Sequence, residues 1–218
     1  MSREKIITGI DIGSTKIATV VASVSENKVS VIGVSGNVPS KGINKGNVVD
    51  IDSSVEAISQ SIEKAERMAG VSISNAFVTL NGSHIETLNS HGVVAVSPNE
   101  NSEITKEDVS RVIEAAQAVS LPSTREIVHV IPRDFVVNSQ EGIKDPVGMS
   151  GVRLEVETNV IHGSATAMRN IAKCVNKVAI DVDELVYTGL ASAEAVLTDT
   201  EKELGTLLVD IGGGTTSV

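Results

Sequence analysis

Gly9-Ile-Asp-Ile-Gly-Ser-Thr-Lys16 and Leu208-Val-Asp-Ile-Gly-Gly-Gly-Thr-Thr216 are the two most informative stretches of this 218-residue chain. Each is an apolar strand-like run, then Asp-Ile-Gly, then small and hydroxyl residues. Asp11 and Asp210 stand 199 positions apart (210 minus 11). An echo of this kind is the mark of a repeated structural unit.

The physics of the two copies is the same. A strand delivers an aspartate to its end, where the chain must turn tightly. Glycine at that point permits unusual backbone angles and lets main-chain N–H groups approach a phosphate. Gly13, Ser14 and Thr15 in the first copy, and Gly212, Gly213, Gly214, Thr215 and Thr216 in the second, are candidate phosphate-binding residues. Lys16 adds a positive charge. An aspartate cannot favourably face phosphate, so Asp11 and Asp210 are candidates for holding Mg2+ through water. Taken alone, Asp-Ile-Gly-Ser-Thr also reads as an ordinary hairpin turn, and the pairing with a triple glycine argues for chemistry. Neither copy has the Gly-x-x-x-x-Gly-Lys-[Ser/Thr] spacing of a Walker loop.

Working outward from the first copy, Ile6–Ile12, Lys16–Val24 and Val29–Val38 read as strands with breaks at Gly13-Ser14 and Glu26-Asn27. Connections this short force antiparallel neighbours. Val55, Ile58, Ile62, Ala65 and Ala69 then recur at helical spacing, with Ser53 and Glu56 as a capping box and Gly70 as a stop. Ala76–Leu80 is a short buried strand. The block from His84 to His162 changes texture: a hairpin-like stretch at Ile85–Val96, a polar loop at Ser97–Glu103, and a helix opened by Thr105 and Asp108. Two strand-like runs follow, Glu126–Ile131 and Phe135–Asn138, and then a strand at Leu154–Ile161. A helix capped by Ser164, a strand at Glu184–Thr188 and a small-residue helix at Gly189–Leu197 lead to a buried-type strand, Thr206–Ile211.

Composition removes several classes of function. The net charge of -10 argues against nucleic acid, which is bound by clustered Lys and Arg. The aromatics are Phe77, Phe135 and Tyr187, with no Trp, so a base-stacking platform is not expected. A single cysteine, Cys174, excludes an internal disulfide framework and reads as a core residue. No apolar run approaches the ~20 residues that span a bilayer, so a cytoplasmic location is expected. His84, His91, His129 and His162 lack partners at metal spacing and read as turn or strand-end residues.

The paired loops resemble those of the actin, Hsp70 and sugar-kinase superfamily, and Gly189–Leu197 resembles its first interdomain helix. Within it the chain is similar, over its whole length, to the bacterial cell-division family FtsA. The resemblance is carried by Gly33–Gly46 with Val48, Val78-Thr-Leu-Asn-Gly-Ser-His-Ile85, Asn89-Ser-His-Gly92, His129-Val-Ile-Pro132, Gln140–Arg153 and Leu185–Leu197. It implies an α/β fold: an actin-like (ribonuclease-H-like) domain at residues 1–83 and 163–205, with an inserted FtsA-type α+β subdomain at 84–162. Residues 206–218 would begin a second actin-like domain, missing after its first strand. It further implies binding of ATP with Mg2+, at most weak ATPase activity, and self-association into filaments. Also implied are anchoring of FtsZ at the inner membrane and recruitment of later division proteins. The inserted subdomain would meet partners through Met149, Arg153 and Glu155, although a solvated loop is the simpler reading of that run. The membrane would be reached only through a C-terminal tail outside these residues, and this chain would hold an incomplete ATP site.

Ser217 departs from the family pattern, which has an aspartate shortly after the glycine run. Two alternatives share the fold. A sugar- or acetate-kinase-like phosphotransferase needs a base near the acceptor hydroxyl, and apart from Asp11 and Asp210 none is placed by motif. A pilus or secretion assembly protein would be expected to differ in the Gln140–Arg153 run.

Overall fold

The computed structural model describes residues 5–25, 28–96 and 103–218. The Glu26-Asn27 break and all of the Ser97–Glu103 loop except Glu103 lie outside the described residues.

In chain order, β1 (Lys5–Ile12), β2 (Lys16–Ser25) and β3 (Lys28–Pro39) are followed by two short strands, β4 (Ile43–Asn44) and β5 (Asn47–Val48). Helix α1 (Ile51–Ala69) and β6 (Asn75–Leu80) come next. Then come β7 (Glu86–Ala95), α2 (Lys106–Gln117), β8 (Arg125–Val137), β9 (Gln140–Ile143) and β10 (Arg153–Ser164). The chain finishes with α3 (Ala165–Asn176), β11 (Asp181–Tyr187), α4 (Thr188–Val196), α5 (Asp199–Leu204), β12 (Asp210–Ile211) and β13 (Thr216–Ser217). Two compact units result, one of Met1–His84 with Ser164–Val218, the other of Ile85–Gly163.

The first unit is built on a five-stranded sheet in the order β11-β6-β1-β2-β3. β1, β2 and β3 form an antiparallel meander, β1 and β2 being joined by the tight turn at Gly13, and β6 and β11 run parallel to β1 and to each other. Alternation along β1 and β2 puts Ile10, Ile12, Ile17 and Val21 on one buried face, and α1, with Ile58 and Ile62 buried, packs against β2 and β3. Each such isoleucine contributes roughly 1.5–3 kcal/mol by burial. The α1 cap is Asp50, not Ser53: the Asp50 side chain accepts from the Ser53 amide and hydroxyl at 3.1 and 2.9 Å. Asp50 prevails because its backbone is extended, as a capping residue requires, whereas Ser53 is already helical. Gly70 ends α1 in the left-handed region at φ 69°. In α3, Ser164 caps, and Met168, Ile171, Cys174 and Val175 are buried.

The second unit is a four-stranded sheet, β7-β10-β8-β9, covered by α2. Its core is Ile104, Val112, Ala116, Phe135, Val137, Ile143, Leu154 and Val156. Ile85–Val96 is not a hairpin. It forms one strand, β7, whose partner is the distant β10, paired from Glu86–His162 to Ala95–Arg153. The runs Glu126–Ile131 and Phe135–Asn138 are likewise one strand, β8, that passes through Pro132. Proline removes a ladder donor, and Pro132 lies beyond the Phe135–Val137 stretch that pairs with β9. Thr105 and Asp108 form the expected capping box on α2. His91, His129 and His162 lie inside strands, not at turns.

The expectation of a buried strand over Thr206–Ile211 is not met. Only Asp210–Ile211 is strand, and Leu207 and Ile211 are 77% and 78% exposed. An apolar run is buried only where neighbouring layers cover it, and among the described residues its ladder is with β13 alone. No helix among the described residues is long and apolar enough to cross a membrane.

Candidate functional site

The two Asp-Ile-Gly copies are the same hairpin. In the first, the Gly13 amide donates to the Lys16 carbonyl at 3.0 Å. In the second, the Gly212 amide donates to the Thr215 carbonyl at 2.9 Å. The flanking ladders also match: Asp11 pairs with Ala18 and Ile12 with Ile17, while Asp210 pairs with Ser217 and Ile211 with Thr216. Each aspartate therefore sits at the last rungs before a turn whose amide is folded inward.

The hairpins touch. A β-carbon at position 213 would collide with the Thr15 methyl, and one at position 214 would lie 2.6 Å from the Ser14 hydroxyl. Only glycine allows the second loop this approach. The Ser14 hydroxyl also accepts from the Gly46 amide at 3.1 Å, which ties the β4–β5 loop to the first turn.

Alongside runs a cleft of about 620 Å³, in the size range of small-molecule pockets. Asp11, Gly13, Ser14, Thr15, Lys16, Asp210, Gly212, Gly213, Gly214 and Thr215 all line it. Thr216 does not; it is held in the β12–β13 ladder. The remaining walls come from β6, from the end of β11 and from α4, with Phe77 and Ala191 as apolar surface.

Three side chains without an expected role prove central to the geometry. Thr79 donates its hydroxyl to Asp11 Oδ1 at 2.7 Å and accepts from the Ile12 amide at 3.1 Å. Asn81 accepts from the Thr215 hydroxyl at 2.7 Å. Ser192 of α4 donates to Asp210 Oδ2 at 3.2 Å. Thr79 and Asn81 fall within the Val78–Ile85 run, and Ser192 within Leu185–Leu197. Both runs are conspicuous in the sequence, but what each residue would touch is not written there.

Met149, Arg153 and Glu155 belong to the other unit. Met149 packs against that unit's core. Glu155 accepts from Arg153 Nη2 and His91 Nε2, both at 3.1 Å. In the same unit, Arg125 Nε donates to Nδ1 of the buried His162 at 2.7 Å and its Nη1 pairs with Glu86 at 3.1 Å. Burial, and then the Arg125 charge, push the His162 imidazole below its ordinary pKa.

Residues 82–162 match the family model described as the SHS2 domain inserted in FTSA. The cell division protein FtsA of Pseudomonas aeruginosa is 45% identical over 98% of this chain and 51% of its own length. That of Bacillus subtilis is 44% identical over 100% of this chain and 49% of its own. The chain thus spans about half the length of the curated relatives it matches. Among solved structures, a PilM–PilN type IV pilus biogenesis complex aligns with a TM-score of 0.54 at 14% identity. It covers 86% of this chain and 49% of that one, a likeness of fold alone. The fold is that of the actin/FtsA-type superfamily, with the family's inserted domain in place. With relatives this similar along its whole length, the chain belongs to the FtsA family of cell-division proteins.

Proposed function

We propose that this chain carries the two phosphate loops of an ATP–Mg2+ site in an actin-like protein that polymerises and anchors FtsZ at the cytoplasmic face of the inner membrane. The observation that carries the reading is the contact between two matching hairpins, Gly213 on Thr15, beside one cleft. The donor set suits a polyphosphate: the Ser14 and Thr15 hydroxyls, amides at glycine turns, and the Lys16 ammonium, with the Thr215 hydroxyl turned to Asn81 and its amide on the same loop. The aspartates Asp11 and Asp210 suit a hydrated divalent cation, a hard ion that prefers oxygen ligands.

On this reading residues 206–218 begin the second actin-like domain, and these residues hold only part of the nucleotide site. Membrane attachment would come from a tail outside them. The inserted unit would serve self-association and recruitment of later division proteins, meeting partners through Met149, Arg153 and Glu155. The names of the two relatives, each cell division protein FtsA, support the cellular role.

Calorimetric titration of the intact protein with ATP, in Mg2+ and in EDTA, tests the reading. Saturable binding that tightens with Mg2+ is expected. Lys16→Ala and Asp210→Ala should each weaken it about tenfold or more, the scale of one lost charge-assisted contact. No saturable binding in either buffer would sink the proposal.

A further inference from the structure

The run Val78-Thr-Leu-Asn-Gly82 has no phosphate chemistry of its own, yet two of its side chains hold the two loops. Strand β6 lies parallel to β1 with Gly9 opposite Phe77 and Ile10 opposite Val78. One step further, Thr79 comes level with Asp11. Asn81 follows just past the end of β6.

The Thr79 hydroxyl has its direction set. A hydroxyl carries one hydrogen and two lone pairs. The Ile12 amide donates to Thr79 Oγ1 at 3.1 Å, so a lone pair is taken and the hydrogen goes to Asp11 Oδ1 at 2.7 Å. The amide of the residue just after Asp11 and the carboxylate of Asp11 are thus held by one atom from a strand 67 and 68 positions away. Asp11 can then rotate only by breaking this bond. Asn81 acts on the other loop, its Oδ1 accepting from Thr215 at 2.7 Å.

We propose that Thr79 is a positioning residue for the cation: it pins Oδ1 of Asp11 and so presents Oδ2 to the water shell of a bound divalent ion, while Asn81 keeps the second loop in register with the first. This rests on the ATP–Mg2+ reading of the same cleft. Thr79 lines the cleft, and the role assigned to it is exerted through Asp11. The consequence is specific. Loss of the hydroxyl should weaken the part of ATP affinity that Mg2+ adds, and leave the metal-free part nearly intact.

The test measures ATP affinity of the intact protein in Mg2+ and in EDTA and takes the ratio. Thr79→Val should lower that ratio about tenfold, or ~1.4 kcal/mol, with affinity in EDTA within about twofold of the unsubstituted protein. Thr79→Ser, which keeps the hydroxyl, should hold the ratio within about threefold. Should Thr79→Val fail to fold by circular dichroism, Thr79→Ala against Thr79→Ser makes the same comparison, since both lose the methyl and only one loses the hydroxyl. An unchanged ratio, or equal losses in both buffers, overturns the role of Thr79 and leaves the nucleotide reading standing. An unsubstituted protein that binds no ATP overturns both.

Discussion

Thr15 fills the space beside Gly213, where a β-carbon would collide with its methyl group and lie 2.9 Å from its hydroxyl oxygen. The pair joins residues from opposite ends of the chain, and it makes a triple glycine a packing requirement as well as a chemical one. Gly213→Ala should therefore strain both hairpins, destabilising the protein by about 1–3 kcal/mol, the usual cost of overpacking. Thr15→Ser removes the colliding methyl, and added to Gly213→Ala it should recover most of that loss. Urea unfolding of the two single variants and the double variant checks this. Strictly additive effects would mean the loops do not touch in solution.

The second unit depends on a buried carboxylate. Asp108 is fully buried, accepts from the Thr105 amide at 3.0 Å, and pairs with Arg111 at 2.5 Å. Arg111 in turn donates to the Ala95 carbonyl at 2.9 Å, so one network joins the α2 cap to the end of β7. Asp108→Ala removes the buried acceptor of the Thr105 amide and hydroxyl and of Arg111, whose own side chain is 45% exposed, and should cost about 2–3 kcal/mol. Thr105→Ala, which removes the cap and one donor to Asp108 but leaves the Arg111 pair, should cost about 1 kcal/mol. Denaturant midpoints of both variants test the order.

Acid should weaken the same unit through His162. Its pKa is lowered in the fold, first by burial and then by Arg125, from an ordinary 6.5. The unfolded chain therefore binds the proton more readily than the folded one. Stability from this group is complete above the unfolded value and is lost as pH falls from there through the lowered folded value. His162→Gln should flatten that part of the stability–pH curve, as measured by chemical denaturation at a series of pH values. An unaltered slope would place the pH dependence elsewhere.

Cys174 lies at 0% exposure in α3, and burial raises its pKa, so both access and thiolate content are low. A thiol reagent at neutral pH should label it at the rate of unfolding and rapidly in denaturant. Prompt labelling of the native protein would contradict the packing of α3.

Much of this architecture is legible in the chain itself because it rests on neighbours in sequence. The periodicities of α1, α2 and α3 reflect contacts within a few residues, as do the capping box of Thr105 and Asp108, the stop at Gly70 and the tight turn at Gly13. The repeated Asp-Ile-Gly carries its meaning in composition and order, and the structure places both copies on one cleft.

Other features depend on partners the local pattern does not name. That β7 pairs with β10 and is not a hairpin, that Thr79 reaches Asp11, and that Asn81 reaches Thr215 are long-range matters. The Thr79–Asp11 bond follows from the parallel register of β6 on β1, and the β7–β10 pairing joins residues up to 76 positions apart (162 minus 86). The apolar Thr206–Ile211 run shows the limit from the other side. Its composition states a preference for burial, but burial needs a covering layer, and only the assembled fold decides whether one is there.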